Sequence, residues 1–192
     1  MTRTGRRIIV AALFICSVAA EARAEHARPC EREMARAAQL HGIPLGILYA
    51  VGLTETGRRG ALHPYALGAE GQTVFAGNID DAMASFQVMR QKGIKLIDLG
   101  CMQINHYYHG EKFGSVRTMF DAAKNVDYAA RFLKELKQRE GSWTMAVARY
   151  NAGPHNQPAQ KRYICHIVGH LVSSGFGAWT DKARSLCQPG TT

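Results

Sequence analysis

At 192 residues, 46% apolar and 20% charged, the chain has the length for one domain with a full core and the make-up of a globular protein, which excludes a disordered or repetitive polypeptide. A formal net charge of +9 favours anionic partners. No Lys/Arg run with interleaved aromatics and no nucleic-acid module is present, so nucleic acid is not an expected partner.

The opening Met1-Thr2-Arg3-Thr4-Gly5-Arg6-Arg7 is basic, Ile8 to Val18 is apolar, and Ala22-Arg23-Ala24 offers small residues at the two positions a signal peptidase reads. Residues 1–24 are therefore expected to be a signal peptide. The apolar run is too short for a stable anchor, so the mature form is expected to be periplasmic, with no integral membrane anchor. Cleavage removes four arginines and one glutamate, which lowers the formal charge from +9 to +6. It also removes Cys16 and leaves Cys30, Cys101, Cys165 and Cys187. Two disulfides are expected in an oxidising compartment, and three pairings are open.

Cys30 to His41 carries Met34, Ala37, Ala38 and Leu40 on one helical face, and Gly42 stops it. Pro44 then opens a second helix, in whose first turn a proline is accepted, and the apolar run Ile47 to Leu53 leads to Glu55. An acid held at the last turn of a buried helix, against apolar neighbours, has its pKa raised and can donate a proton near neutrality. Tyr65-Ala66-Leu67 and Thr73-Val74-Phe75 flank Gly68-Ala69-Glu70-Gly71 and read as a hairpin.

Asn78 caps a helix with Asp80 and Asp81 in its first turn, ended by Gly93, and Asp98-Leu99-Gly100 reads as a short extended segment. Asp121 caps a helix with Val126, Ala129, Ala130, Phe132, Leu133 and Leu136 inward, and Ser142 caps Trp143 to Tyr150. Gln157 to Leu171 is the last expected helix. Residues 173–192 read as an irregular, Gly-rich tail, tethered if Cys187 is bonded.

Three further stretches stand out: Gly100-Cys101-Met102-Gln103-Ile104-Asn105, Ala148-Arg149-Tyr150-Asn151-Ala152-Gly153-Pro154, and Tyr163 in Lys161-Arg162-Tyr163-Ile164. Each alone has a structural explanation, as core, turn or helix edge. Together with Glu55, and in this order, the chain resembles the soluble (SLT-type) lytic transglycosylases, lysozyme-like enzymes that cleave peptidoglycan. The family pattern is Glu-Ser, Gly-x-Met-Gln-Ile, Ala-Tyr-Asn-Ala-Gly and a late Tyr, and the likeness spans about residues 30 to 170.

The resemblance implies an α+β, mostly helical, lysozyme-like fold with a small β-hairpin after the catalytic helix, over residues 25–172. It implies a single catalytic residue, Glu55, and substrate contacts from Thr56, Met102, Gln103, Asn105, Tyr150, Asn151 and Tyr163, with glycan strands of peptidoglycan as substrate and no cofactor or metal. Thr56 replaces the family's usual Ser, and Arg149 stands where a small or apolar residue is common.

Asp98, in the form Asp-x-Gly-x-Met-Gln-Ile-Asn, and the stretch Phe120 to Asn125 are similar to members that accompany secretion, pilus or flagellar machines, so a cell-envelope machine is an expected partner. Asp98 is expected to hydrogen-bond the backbone of the 100–105 turn. Glycosidases that use water place two carboxylates about 5 to 10 Å apart. A hydrolytic muramidase using Glu55 with Asp98 is therefore one alternative, and a non-catalytic wall-binding assembly factor is another. His106 and His109 lack a third ligand in sequence, so His106, Tyr107, Tyr108 and His109 are read as a cleft wall, the tyrosines able to stack on sugars.

Overall fold

A computed structural model describes residues 28–188. The expected signal peptide, residues 1–24, lies outside them. Helix α1, Pro29–His41, buries Cys30, Met34, Ala37 and Ala38 and ends on Gly42 in the left-handed region. Helix α2, Leu45–Thr56, is apolar around most of its circumference and buries Leu48, Ala50, Val51 and Gly52. Pro44 stands just outside it, at the N-cap and with extended ψ, where a first-turn proline was expected.

Strands β1 (Ala66–Ala69) and β2 (Gln72–Phe75) pair with Ala69 opposite Gln72, so the turn is only Glu70-Gly71. Both residues have positive φ, 51° and 76°, as the twist of a two-residue hairpin demands. The sheet is wider than a hairpin. Strands β3 (Asp98–Leu99) and β4 (Ile104–Asn105) extend it in the order β2-β1-β3-β4, antiparallel throughout.

Helix α3, Ile79–Gln91, begins at Asn78, whose side chain accepts from the N–H groups of Asp80 and Asp81. Two short helices follow β4: α4, His106–His109, and α5, Val116–Met119. Helix α6, Ala122–Glu140, is capped by Asp121 and closed by Gly141; its stripe Val126, Ala129, Ala130, Leu133 and Leu136 is buried. Phe132 departs from that stripe. It is half-buried and faces the cleft described below. Helix α7, Trp143–Asn151, is capped by Ser142, and α8 runs Gln157–Ser173. α1 and α7 pack on α6, and α8 packs on α2 and α7, so the polar end of α2 emerges between the helices and the sheet. No helix among the described residues is long and apolar enough to cross a membrane.

The segment after α8 departs from the expected irregular tail. Asp181–Cys187 forms helix α9, capped by Thr180, and packs on α8. Phe176 in the connecting loop lies edge-on to Tyr49 of α2, with ring centroids 5.8 Å apart. Glycine content hid this order, because large apolar residues such as Phe176 and Leu186 are too sparse there to give a periodic signal.

The cysteines pair as Cys30–Cys101, 71 residues apart, and Cys165–Cys187, 22 apart. The first joins α1 to the turn between β3 and β4, and the second ties α9 to α8. Loop-closure entropy makes the longer bridge worth about 4 kcal/mol and the shorter about 3 kcal/mol. Replacing Cys30 and Cys101 together with Ala should therefore lower the unfolding free energy by about 4 kcal/mol in a denaturant titration. A loss under about 1 kcal/mol would mean that the unfolded chain is not constrained by this bridge.

Candidate active site

Glu55 lies in the last turn of α2, at the floor of a cleft of about 370 Å³ whose walls include Asp98, Gln103, Asn105, Phe132, Tyr150 and Asn151. Tyr163, on α8, donates its hydroxyl to Glu55 Oε1 at 2.5 Å. Burial raises the Glu55 carboxyl from 4.5 to about 7; the Tyr163 bond opposes that rise and the nearby Asp98 adds to it. Desolvation outweighs a short charge-assisted hydrogen bond here because the carboxyl group is enclosed on all sides but the cleft.

Burial and the neighbouring Glu55 hold the Tyr163 phenol well above its ordinary pKa, so it remains a donor. With Oε1 accepting from Tyr163, the exchangeable proton of Glu55 belongs on Oε2. That oxygen has no partner among the described residues and is not one of the sealed polar atoms, so it is accessible from the cleft.

The turn between β3 and β4 is held from beneath by Asn125, a fully buried residue of α6. Its Oδ1 accepts from the Met102 N–H at 2.9 Å, while Nδ2 donates to Leu99 O at 2.9 Å and Met119 O at 2.8 Å. Gly100 makes this approach available: its φ is +78°, and a Cβ there would come within 2.5 Å of Asn125 Nδ2. Thr56 ties the turn to α2. The residue is 1% exposed, and its hydroxyl lies 3.0 Å from Cys101 O and 3.3 Å from Gly52 O and accepts from the His63 N–H. Tyr150 completes the frame by donating to Met102 O at 2.7 Å.

The expected site residues divide accordingly. Glu55, Asp98, Gln103, Asn105, Tyr150 and Asn151 all line the cleft, and Tyr163 reaches Glu55 from behind. Thr56 and Met102 do not meet the expectation of substrate contact. Both side chains are buried, and what they give the site is the position of the turn backbone. Tyr150 spends its hydroxyl on that backbone, although Glu55 and Asp98 lie near enough to raise its pKa further after burial.

Gln103, at φ +45°, has its amide nitrogen bonded to Gly100 O at 2.9 Å and Ala66 O at 3.2 Å, so the strained backbone is clamped on both sides. Asp98 also corrects an expectation. Its Oδ1 accepts from the Asn105 side-chain amide at 2.7 Å, not from the turn backbone, and burial raises its pKa against that bond. The sequence singled out neither Asn125 nor Phe132 as part of the site; an Asn four residues after an N-cap and flanked by Lys124 and Val126 has no local signal for burial.

Asn105 also caps α4 by accepting from the N–H groups of Tyr107 and Tyr108. Tyr108 and His109 reach the cleft, whereas His106 packs edge-on to Phe86. His109 Nδ1 is 2.9 Å from the Tyr128 hydroxyl, and burial lowers the pKa of both histidines. Tyr107 and Tyr108 are 61% and 67% exposed, an apolar surface beside the cleft suited to sugar faces. Among the described residues no three His, Cys, Asp or Glu side chains come together as a metal site.

A helical body, a small antiparallel sheet and one carboxyl at a helix end in the cleft between them make a lysozyme-like α+β fold. The chain belongs to the transglycosylase SLT domain family, whose model matches residues 34–164. That span contains Glu55, the 98–105 turn, Tyr150 and Tyr163, and the family consists of lytic transglycosylases acting on peptidoglycan. No curated protein and no solved structure gives a significant match.

Because the folded carboxyl binds its proton more tightly than the unfolded one, its penalty is absent below about pH 4.5 and fully present above about 7. Replacing Glu55 with Gln should thus stabilise the fold more at about pH 8 than at about pH 5, by on the order of 2 kcal/mol in denaturant titrations at the two values. Equal effects at both would mean that Glu55 has an ordinary pKa.

Proposed function

We propose that this protein is an exported lytic transglycosylase that cuts the β-1,4 bond between N-acetylmuramic acid and N-acetylglucosamine without water, with Glu55 as the sole acid and base. The observation that carries this reading is the Glu55 carboxyl itself, raised to about 7 with Oε1 held by Tyr163 and Oε2 accessible from the cleft. At neutral pH such a group is present in both protonation states, which suits a residue that must give and then take a proton.

In the first step Oε2–H protonates the bridging oxygen and the bond from muramic C1 to that oxygen breaks. The acetamido oxygen of the same sugar supports the cation at C1. The leaving N-acetylglucosamine end carries off the donated proton as a hydroxyl. Glu55, now a carboxylate stabilised by Tyr163, draws the proton from the muramic C6 hydroxyl, and O6 bonds to C1. The product is a 1,6-anhydro ring, and Glu55 is again protonated. No atom of water enters, and each step restores the state the other requires.

Asp98 is less suited to a hydrolytic role. Asn105 donates to one of the Asp98 oxygens, which leaves that carboxyl less free to act as a nucleophile or base. It contributes instead to the Glu55 environment, since its charge raises the Glu55 pKa.

Export is supported by the basic, apolar and small-residue order of the first 24 residues and by the two disulfides, which an oxidising compartment permits. The stretch Asp98 to Asn105 and the residues Phe120 to Asn125 favour a specialised enzyme that opens the wall locally for an envelope-spanning machine; the basic charge suits residence at an anionic wall.

Glu55→Gln keeps the shape of the side chain but cannot exchange a proton. Release of soluble fragments from purified wall should fall about a thousandfold in this variant. Activity within a few-fold of the native protein would overturn the assignment of Glu55.

A further inference from the structure

Arg149 lines the same cleft, beside Tyr150 and Asn151, and neither proton step uses it. Its side chain is only 17% exposed. Nε donates to Glu140 Oε2 at 3.2 Å, a pairing that joins α7 to the end of α6 and fixes one edge of the guanidinium. Nη1 lies 3.5 Å from Gly153 O, an acceptor already engaged by Gln160 Nε2 at 2.6 Å. Nη2 has no partner among the described residues. The end-on edge formed by Nη1 and Nη2 is therefore available, in a fixed plane, to a planar anion.

The acids of the cleft do not fill that edge. Glu55 bonds Tyr163 and Asp98 bonds Asn105, and among the described residues the carboxylate paired with Arg149 is that of Glu140. Neutral sugars need no guanidinium. On the transglycosylase reading, on which this inference rests, the muramic residue beside the scissile bond carries planar anions. The lactyl group on its O3 ends in a carboxylate when the stem peptide is absent, and the stem peptide carries carboxylates when it is present.

We infer that Arg149 recognises a carboxylate on the muramyl side of the strand and makes the enzyme select strands on which that carboxylate is free. The charge-assisted pairing binds the substrate and leaves the proton transfers to Glu55. Selection then depends on how the wall has been trimmed or amidated, because amidation removes the charge while keeping the size of the group.

The test uses the native protein and Arg149→Gln on two matched pairs of soluble strands. One pair is peptide-free, with the lactyl group as carboxylate or as methylamide. The other bears stem peptides, with their carboxyl groups free or amidated. The native protein should favour the carboxylate member of one pair by about tenfold in kcat/KM, and the pair that shows the preference identifies the source of the anion. In Arg149→Gln that ratio should fall to about one. Should this variant fail to fold, Arg149→Lys, which keeps the charge but loses the fork, is read in the same way and should lose several-fold of the preference.

A native ratio near one in both pairs, or an unchanged ratio in the variant, overturns the inference while leaving the transglycosylase reading intact. A role for Arg149 only in holding α6 and α7 together lowers every substrate alike and leaves the ratio unchanged. If the native protein cleaves none of the four strands, the transglycosylase reading falls and this inference falls with it.

Discussion

The hydrogen bond from Tyr163 to Glu55 joins two opposed electrostatic demands, and the rest of the site depends on how they balance. Enclosure of the carboxyl group at the end of α2 raises its pKa, whereas a short bond from a phenol lowers it. Burial prevails, and the result, near 7, is a group that loses and regains a proton at neutral pH. Tyr163 has a second effect: by occupying Oε1 it leaves Oε2 facing the cleft. Helix α8 is thus tied directly to the Glu55 carboxyl, and its packing on α2 and α7 holds the phenol in register.

The opposite wall of the cleft is built by one buried amide. Asn125 bonds three backbone groups, the Met102 N–H and the Leu99 carbonyl beside Gly100 and the Met119 carbonyl at the end of α5. Thr56 and Tyr150 bond the carbonyls of Cys101 and Met102, so the turn is anchored to α6, α2 and α7 together, and the Cys30–Cys101 disulfide adds α1. That rigidity allows Gln103 to keep a left-handed backbone in the cleft wall.

Much of the frame was legible in the sequence because its signals are local. Asn78, Asp121 and Ser142 cap their helices as their side-chain chemistry requires, and Glu55 stands at the end of an apolar helix, where burial raises its pKa. What escaped was non-local. The burial of Thr56 and Met102 and the role of Asn125 are set by elements distant in sequence, and the partner of Asp98 by the register of β3 against β4. Cysteine pairing and the docking of α9 through Phe176 are likewise decided by packing, because neither spacing nor composition encodes which surfaces meet.

The central claim is that one carboxyl group serves both proton transfers, so that the C6 hydroxyl of the sugar takes the place of water. Mass spectrometry of muramyl products released by the native protein from purified peptidoglycan measures this directly. The account predicts products with a 1,6-anhydro ring, lighter by one water than their hydrolytic counterparts and without label when the digestion is run in heavy-oxygen water. Reducing ends carrying the heavy oxygen would contradict it and make the reaction a hydrolysis.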